Sequence, residues 1–240
     1  MTRYETLALD ATGFDETSFS ITFLGNTNLL FDDGTTTILT DGYFSRLGLL
    51  KTIFKAHSDI QKIERFIEEF DLGTLDFVIP LHHHFDHVMD VPALSQLTNA
   101  KVLGTNNTLN VLRGWSANDG TSILHNFRSL NSGIPSDFFT ENLGELNLTF
   151  IRSEHMQNDL AKGQITTPVS SPTSARNYKT GEVWIILVTH NTLSGKVLIV
   201  GSAGDVPPTI INSHLLSNTD IVFIAVPGLA KKRKQNIWNF

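Results

Sequence analysis

Residues 81–90 read Leu81-His82-His83-His84-Phe85-Asp86-His87-Val88-Met89-Asp90, and within them lies the pattern His-x-His-x-Asp-His. Four metal-competent side chains (His82, His84, Asp86 and His87) fall within six residues. His82 and His84 stand two apart, so on an extended segment they point to one side. Asp86 and His87 follow at once, where the chain has to turn to bring them toward the same space. Imidazole and carboxylate suit zinc and its neighbours, and thiolate ligands are excluded because the chain has no cysteine.

The flanks weigh a ligand set against a solvated histidine cluster. Leu75-Asp76-Phe77-Val78-Ile79-Pro80-Leu81 is an apolar run that reads as a buried parallel strand, and Val88 to Leu97 reads as a helix. A ligand set at the carboxyl end of a strand, just before a helix, is where open α/β folds place their sites. The context favours metal.

Upstream, Ser18 to Leu24, Asn28 to Phe31 and Thr35 to Leu39 read as a β-meander, with Asp32-Asp33-Gly34 as a turn and Asp41-Gly42 as its end. Ser58 is the expected cap of a helix whose apolar residues Ile60, Ile63, Phe66, Ile67 and Phe70 share one face. Downstream, the pattern predicts a strand at Lys101–Leu103, a helix near Thr108–Trp115 and a strand at Glu145–Arg152, which delivers Ser153-Glu154-His155. Ser116 to Asn142 carries little pattern. Met156 to Thr180 is polar and rich in Thr, Ser and Pro, which fits a lid, a binding loop or a disordered segment. Glu182–Thr189 and Lys196–Gly201 read as a hairpin across Leu193-Ser194-Gly195, ending in Ser202-Ala203-Gly204-Asp205, and Asp220–Val226 is the last apolar run.

With 240 residues, 40% hydrophobic and 18% charged, the chain matches one ordinary globular domain. A formal net charge of −6 disfavours a polyanionic partner such as duplex nucleic acid, so a small-molecule substrate is the expectation. Met1 to Asp10 lacks an apolar core of signal-peptide length, and no stretch approaches a transmembrane helix. Cytoplasmic residence without membrane association is expected.

In order, a strand, His-x-His-x-Asp-His, a helix, a distant histidine at a strand end and Gly-Asp at another strand end resemble the metallo-β-lactamase superfamily of metallohydrolases. The resemblance spans residues 18–228 of a single domain, leaving 229–240 as an atypical tail. It implies an α/β (α+β) fold, a four-layer αββα sandwich with metals at one edge of the two sheets. It implies that His82, His84 and His155 bind a first zinc, that Asp86 and His87 bind a second, and that Asp205 bridges both. Asp86 would also orient the nucleophile, and Asp41 matches the aspartate that orients ligands. His83 and Phe85 should point away by alternation, while His57, His125, His190 and His214 match no family position. Zinc is the expected ion, one or two per chain, although manganese or iron would accept the same ligands.

One departure stands out. Two-metal members carry a further histidine after the strand that follows the bridging aspartate, and here no histidine lies beyond His214. The resemblance therefore implies a shortened form lacking its closing strand and helix. Three functions follow as expectations: a hydrolase acting on an ester, lactone, lactam or phosphodiester bond, a metal-binding remnant impaired in catalysis, and, least favoured by charge, a nucleic-acid-processing enzyme.

Overall fold

Alternation with a period of two sorts the strand residues onto opposite faces, and those faces define the layers. A computed structural model describes residues 19–115, 122–130, 136–156 and 159–225. The first sheet begins with the expected antiparallel meander, β1 (Ser20–Phe23), β2 (Leu29–Asp32) and β3 (Thr37–Thr40). It continues in parallel with β4 (Phe77–Ile79), β5 (Lys101–Gly104) and β6 (Phe127–Ser129), in simple sequential order. The second sheet is antiparallel through β7 (Phe138–Leu143), β8 (Leu146–Ser153), β9 (Val183–His190) and β10 (Lys196–Gly201). There β11 (Ile221–Ile224) pairs parallel to β10.

Three apolar interfaces separate four layers. On the outer face of the first sheet, Leu39, Val78 and Val102 pack against Ile63, Leu94 and Val111. Those three come from helices α2 (Ile60–Glu69), α4 (Val91–Thr98) and α5 (Asn106–Gly114). Residues one position along each strand, Ile38, Ile79 and Leu103, face the other way, where Leu148, Phe150, Trp184 and Ile199 of the second sheet meet them. Phe139 and Phe150 stack at 5.1 Å and Trp184 abuts Phe139 edge-on at 5.5 Å, so large rings fill the middle of the sandwich. The far face of the second sheet, with Ile185, Leu187, Leu198 and Val200, is covered by Ile210 and Leu216, the former on a short helix at Pro208–Asn212. The result is the αββα sandwich that the sequence resemblance implies.

Several local expectations need correction. Asp59 caps α2, its carboxylate accepting from the Lys62 N–H at 3.3 Å, while the Ser58 hydroxyl instead donates to the Met89 carbonyl at 3.1 Å. Asp and Ser are near-equal caps in sequence, so only the entry angle of the chain decides. Asp59→Ala is expected to cost about 1 kcal/mol, read as a lower urea midpoint. Of the helix expected after the cluster, the part near Val91–Leu97 is α4, while Val88 belongs to a separate α3 (Phe85–Val88), the break falling at Met89-Asp90, where Asp90 turns its carboxylate onto the Phe44 and Ser45 amides. A further helix, α1 (Leu49–Phe54), follows the meander, and the weakly patterned 116–142 stretch contributes β6 and β7.

The polar 156–180 segment is folded against α5, where Asn110 donates to the Ile165 carbonyl at 2.7 Å and accepts the Val169 N–H at 3.2 Å through its backbone oxygen. Residues 157–158 within it, and the 229–240 tail with the question of a closing strand and helix, lie outside the described residues. Among the described residues no helix is long and apolar enough to cross a membrane.

Topology gathers the chemistry at one rim. In the first sheet β3 and β4 run in parallel, and in the second β8 and β10 run the same way on either side of β9. Their carboxyl ends lead respectively to Asp41, His82, His155 and Asp205. The Trp184 N–H donates to the Leu81 carbonyl at 2.9 Å and ties the two sheets together beside the histidines.

Candidate metal centre

His82 leaves β4 in an extended segment and is 1% exposed. His84 is still extended, at φ −63° and ψ 154°, so its side chain falls on the same side as that of His82. Nε2 of His82 and Nδ1 of His84 approach to 3.1 Å. His155 arrives from the opposite sheet, held by a backbone bridge to Ala203 and by the Met156 N–H on the Ser202 carbonyl at 3.0 Å. Its ring centroid stands 4.9 Å from that of His82 and 4.6 Å from that of His84. One nitrogen from each of the three lies within 4.8 Å of the others. Two nitrogens held 2.0–2.1 Å from one tetrahedral ion stand about 3.3 Å apart, so the His82–His84 approach fits a shared cation.

Electrostatics favour the same occupant. Burial, and then the neighbouring imidazoles, hold His82 well below the ordinary histidine range, and the same causes lower His84. Both rings are therefore neutral with lone pairs available, the form that ligates metal. His82 Nδ1, the nitrogen turned away from His84, is buried and has no hydrogen-bond partner among the described residues. The residues present fit a divalent ion with imidazole ligands.

After His84 the chain turns into α3, and His87 comes round beside His82 with ring centroids 3.8 Å apart. Its Nδ1–H donates to Asp41 Oδ2 at 2.7 Å, which leaves Nε2 as the free nitrogen, 3.8 Å from Asp86 Oδ2. Burial pushes His87 down, but the charge and hydrogen bond of Asp41, with the charge of Asp86, bring it above its ordinary value. Asp41 is fully buried at φ +58°, a left-handed conformation that aspartate tolerates better than most residues. Its Oδ1 accepts the Leu81 N–H at 2.8 Å, and its Oδ2 also takes the Thr27 hydroxyl. This one carboxylate thus fixes the backbone just before the motif and the tautomer of its last histidine.

The other expected residues fall into place unevenly. The Asp86 side chain is 40% exposed, with its Oδ2 3.8 Å from His87 Nε2. Asp205 is exposed, on the segment that runs alongside His155, and its backbone carbonyl accepts the Ser153 hydroxyl at 3.0 Å. The group that converges within ligand distance is His82, His84 and His155, without Asp86, His87 or Asp205. His83 points away as alternation requires, bonded to the Thr108 hydroxyl at 2.8 Å, and burial pushes it down to about 4. Phe85 turns edge-on to Tyr43 at 5.7 Å. Sequence reasoning missed Asp159, whose Oδ1 lies 3.1 Å from His84 Nε2, and Thr180, whose hydroxyl donates to Asp159 Oδ2. The only signal for either was their place in a long polar segment.

A four-layer αββα sandwich carrying a histidine triad at one rim is the metallo-β-lactamase fold, and that assignment rests on this chain's own layer order and strand-end residues. No family model matches the chain. Solved structures similar to it include the metallo-β-lactamase fold protein YhfI of Bacillus subtilis, 14% identical with a TM-score of 0.47, covering 85% of this chain and 62% of that one. Another is MEM-A1, a subclass B3 metallo-β-lactamase from a soil metagenome library, 18% identical with a TM-score of 0.45, covering 83% of this chain and 73% of the other. Among curated proteins, the endoribonuclease YSH1 of Yarrowia lipolytica is 32% identical over 104 residues, 42% of this chain. The match spans only 12% of that endoribonuclease's length.

Proposed function

We propose that this protein is a metal-dependent hydrolase acting on an ester, lactone, lactam or phosphodiester bond of a small molecule. The observation that supports this reading is the convergence of His82, His84 and His155, imidazoles from two sheets, around one point. Three histidine ligands leave a coordination position for water, the pattern of catalytic rather than structural zinc. A divalent ion held there would supply a nucleophile by lowering the pKa of bound water from 15.7 to about 7.

Each residue then has a task. His82, His84 and His155 would hold the ion through one ring nitrogen each. Asp86, 40% exposed and beside His87, would orient the nucleophile or accept its proton. His87, anchored by Asp41, offers Nε2 toward a second cation, with Asp205 as the further carboxylate. Zinc is the proposed ion, with manganese or iron accepting the same donors.

The likeness to an endoribonuclease over 104 residues supports a second reading, cleavage of a phosphodiester in RNA. Both are tested by stripping the protein with a chelator, restoring zinc or manganese, and assaying an aryl ester, a lactone, a lactam, an aryl phosphodiester and a short RNA. Turnover that disappears with the chelator and returns with metal is expected on at least one of them. A protein that binds zinc stoichiometrically and turns over none of the five would contradict the hydrolase reading and leave a metal-binding protein without catalysis.

A further inference from the structure

We infer that Asp159 is a positioning residue for the metal centre, and that through it the 159–181 segment straps the cage in its binding-competent form. The inference rests on the metal-centre reading above and deepens it. Both ring nitrogens of His84 have a close neighbour. Nδ1 faces His82 Nε2 at 3.1 Å, and Nε2 faces Asp159 Oδ1 at the same distance. A carboxylate accepts and does not donate, so the Nε2 proton belongs to the bond with Asp159. In a neutral ring Nδ1 then carries the lone pair, aimed into the cage. Without Asp159 the proton is free to sit on either nitrogen, and the ring to turn.

Asp159 is itself fixed by the segment it begins. Its carboxylate takes the Ala161 N–H at 2.9 Å and the hydroxyl of Thr180. The Thr180 N–H donates to the Ala161 carbonyl at 3.0 Å, and the Gly181 N–H to the Gly163 carbonyl at 2.8 Å, so the two ends of the segment are laced together. The strap is sewn to the motif by the His83 N–H on the Thr180 carbonyl at 2.9 Å. The Asp159 side chain is 11% exposed, so its carboxylate meets His84 largely shielded from water. Partners of this kind, one bond removed from the ion, typically alter metal affinity 10–100-fold.

The test is cobalt and zinc affinity by chelator competition, with the cobalt absorption spectrum, for wild type, Asp159→Ala and Thr180→Val. Asp159→Ala is expected to bind cobalt about 10–100-fold more weakly with a changed spectrum. Thr180→Val, which keeps the carboxylate but removes its hydroxyl donor, should fall between that variant and wild type. Metal-free Asp159→Ala is checked by its urea midpoint, and Thr180→Val carries the test if the first variant fails to fold. Wild-type affinity and spectrum in both variants would overturn this inference alone. A wild-type protein that binds neither metal would overturn the metal-centre reading beneath it.

Discussion

His84→Ala is expected to strip the protein of bound metal. Zinc retained after dialysis should drop from about one ion per chain to near none, and hydrolysis should go with it. The reason lies in where His84 stands. Its Nδ1 is 3.1 Å from His82 Nε2, its ring is 4.6 Å from that of His155, and its far nitrogen is fixed by Asp159. Removing it leaves two imidazoles on different sheets, with no third donor to close the cage. The affinity loss should exceed the roughly 10–100-fold seen when a residue behind a ligand is removed. His57, whose Nδ1 bonds the Lys55 carbonyl at 2.7 Å, is the control, and His57→Ala should keep its zinc. Elemental analysis reporting equal zinc in His84→Ala and wild type would contradict the assignment.

The second large effect concerns folding. Asp41→Ala should destabilise the protein by about 3–5 kcal/mol, because it removes the buried acceptor of both the Leu81 N–H and the His87 Nδ1–H, and each buried donor left unsatisfied costs about 1–3 kcal/mol. Asp41 and His87 are 0% and 3% exposed, so neither group left behind can turn to water. The substitution also places alanine at φ +58°. Asp41→Asn separates these contributions. Asparagine tolerates the left-handed backbone and keeps an acceptor for Leu81, so its cost should be smaller, about 1–3 kcal/mol. Urea unfolding of the metal-free proteins distinguishes the two, and an Asp41→Ala variant within about 1 kcal/mol of wild type would show that the carboxylate is not the anchor described.

Much of this arrangement is legible in the sequence because it follows from local periodicity. The apolar runs Glu182–Thr189 and Lys196–Gly201 read as strands, and the structure turns Trp184, Ile186 and Ile199 to one face and Ile185, Leu187 and Leu198 to the other. The His-x-His spacing on an extended segment places two imidazoles on one side, and the structure brings them to 3.1 Å. Asp41 could be picked out because it ends a β-branched run, as Asp205 does at the end of its strand.

What escaped notice depends on partners far off in the chain. Asp159 meets a histidine 75 positions away, and nothing in a stretch rich in Thr, Ser and Pro marks one carboxylate above another. The α1 and Pro208–Asn212 helices are too short for a helical period to declare itself. The break between α3 and α4 is equally silent in sequence, because it is made by Asp90 reaching the amides of Phe44 and Ser45, over 40 residues upstream. Burial pushes that carboxyl above its ordinary range, an environment no residue-by-residue reading conveys.

The most direct measurement is diffraction from zinc-loaded crystals recorded on either side of the zinc absorption edge. The account predicts an anomalous peak enclosed by His82, His84 and His155, within about 2.0–2.1 Å of one nitrogen from each. Zinc-loaded crystals with no peak among those imidazoles, or with the ion held elsewhere on the chain, would contradict it.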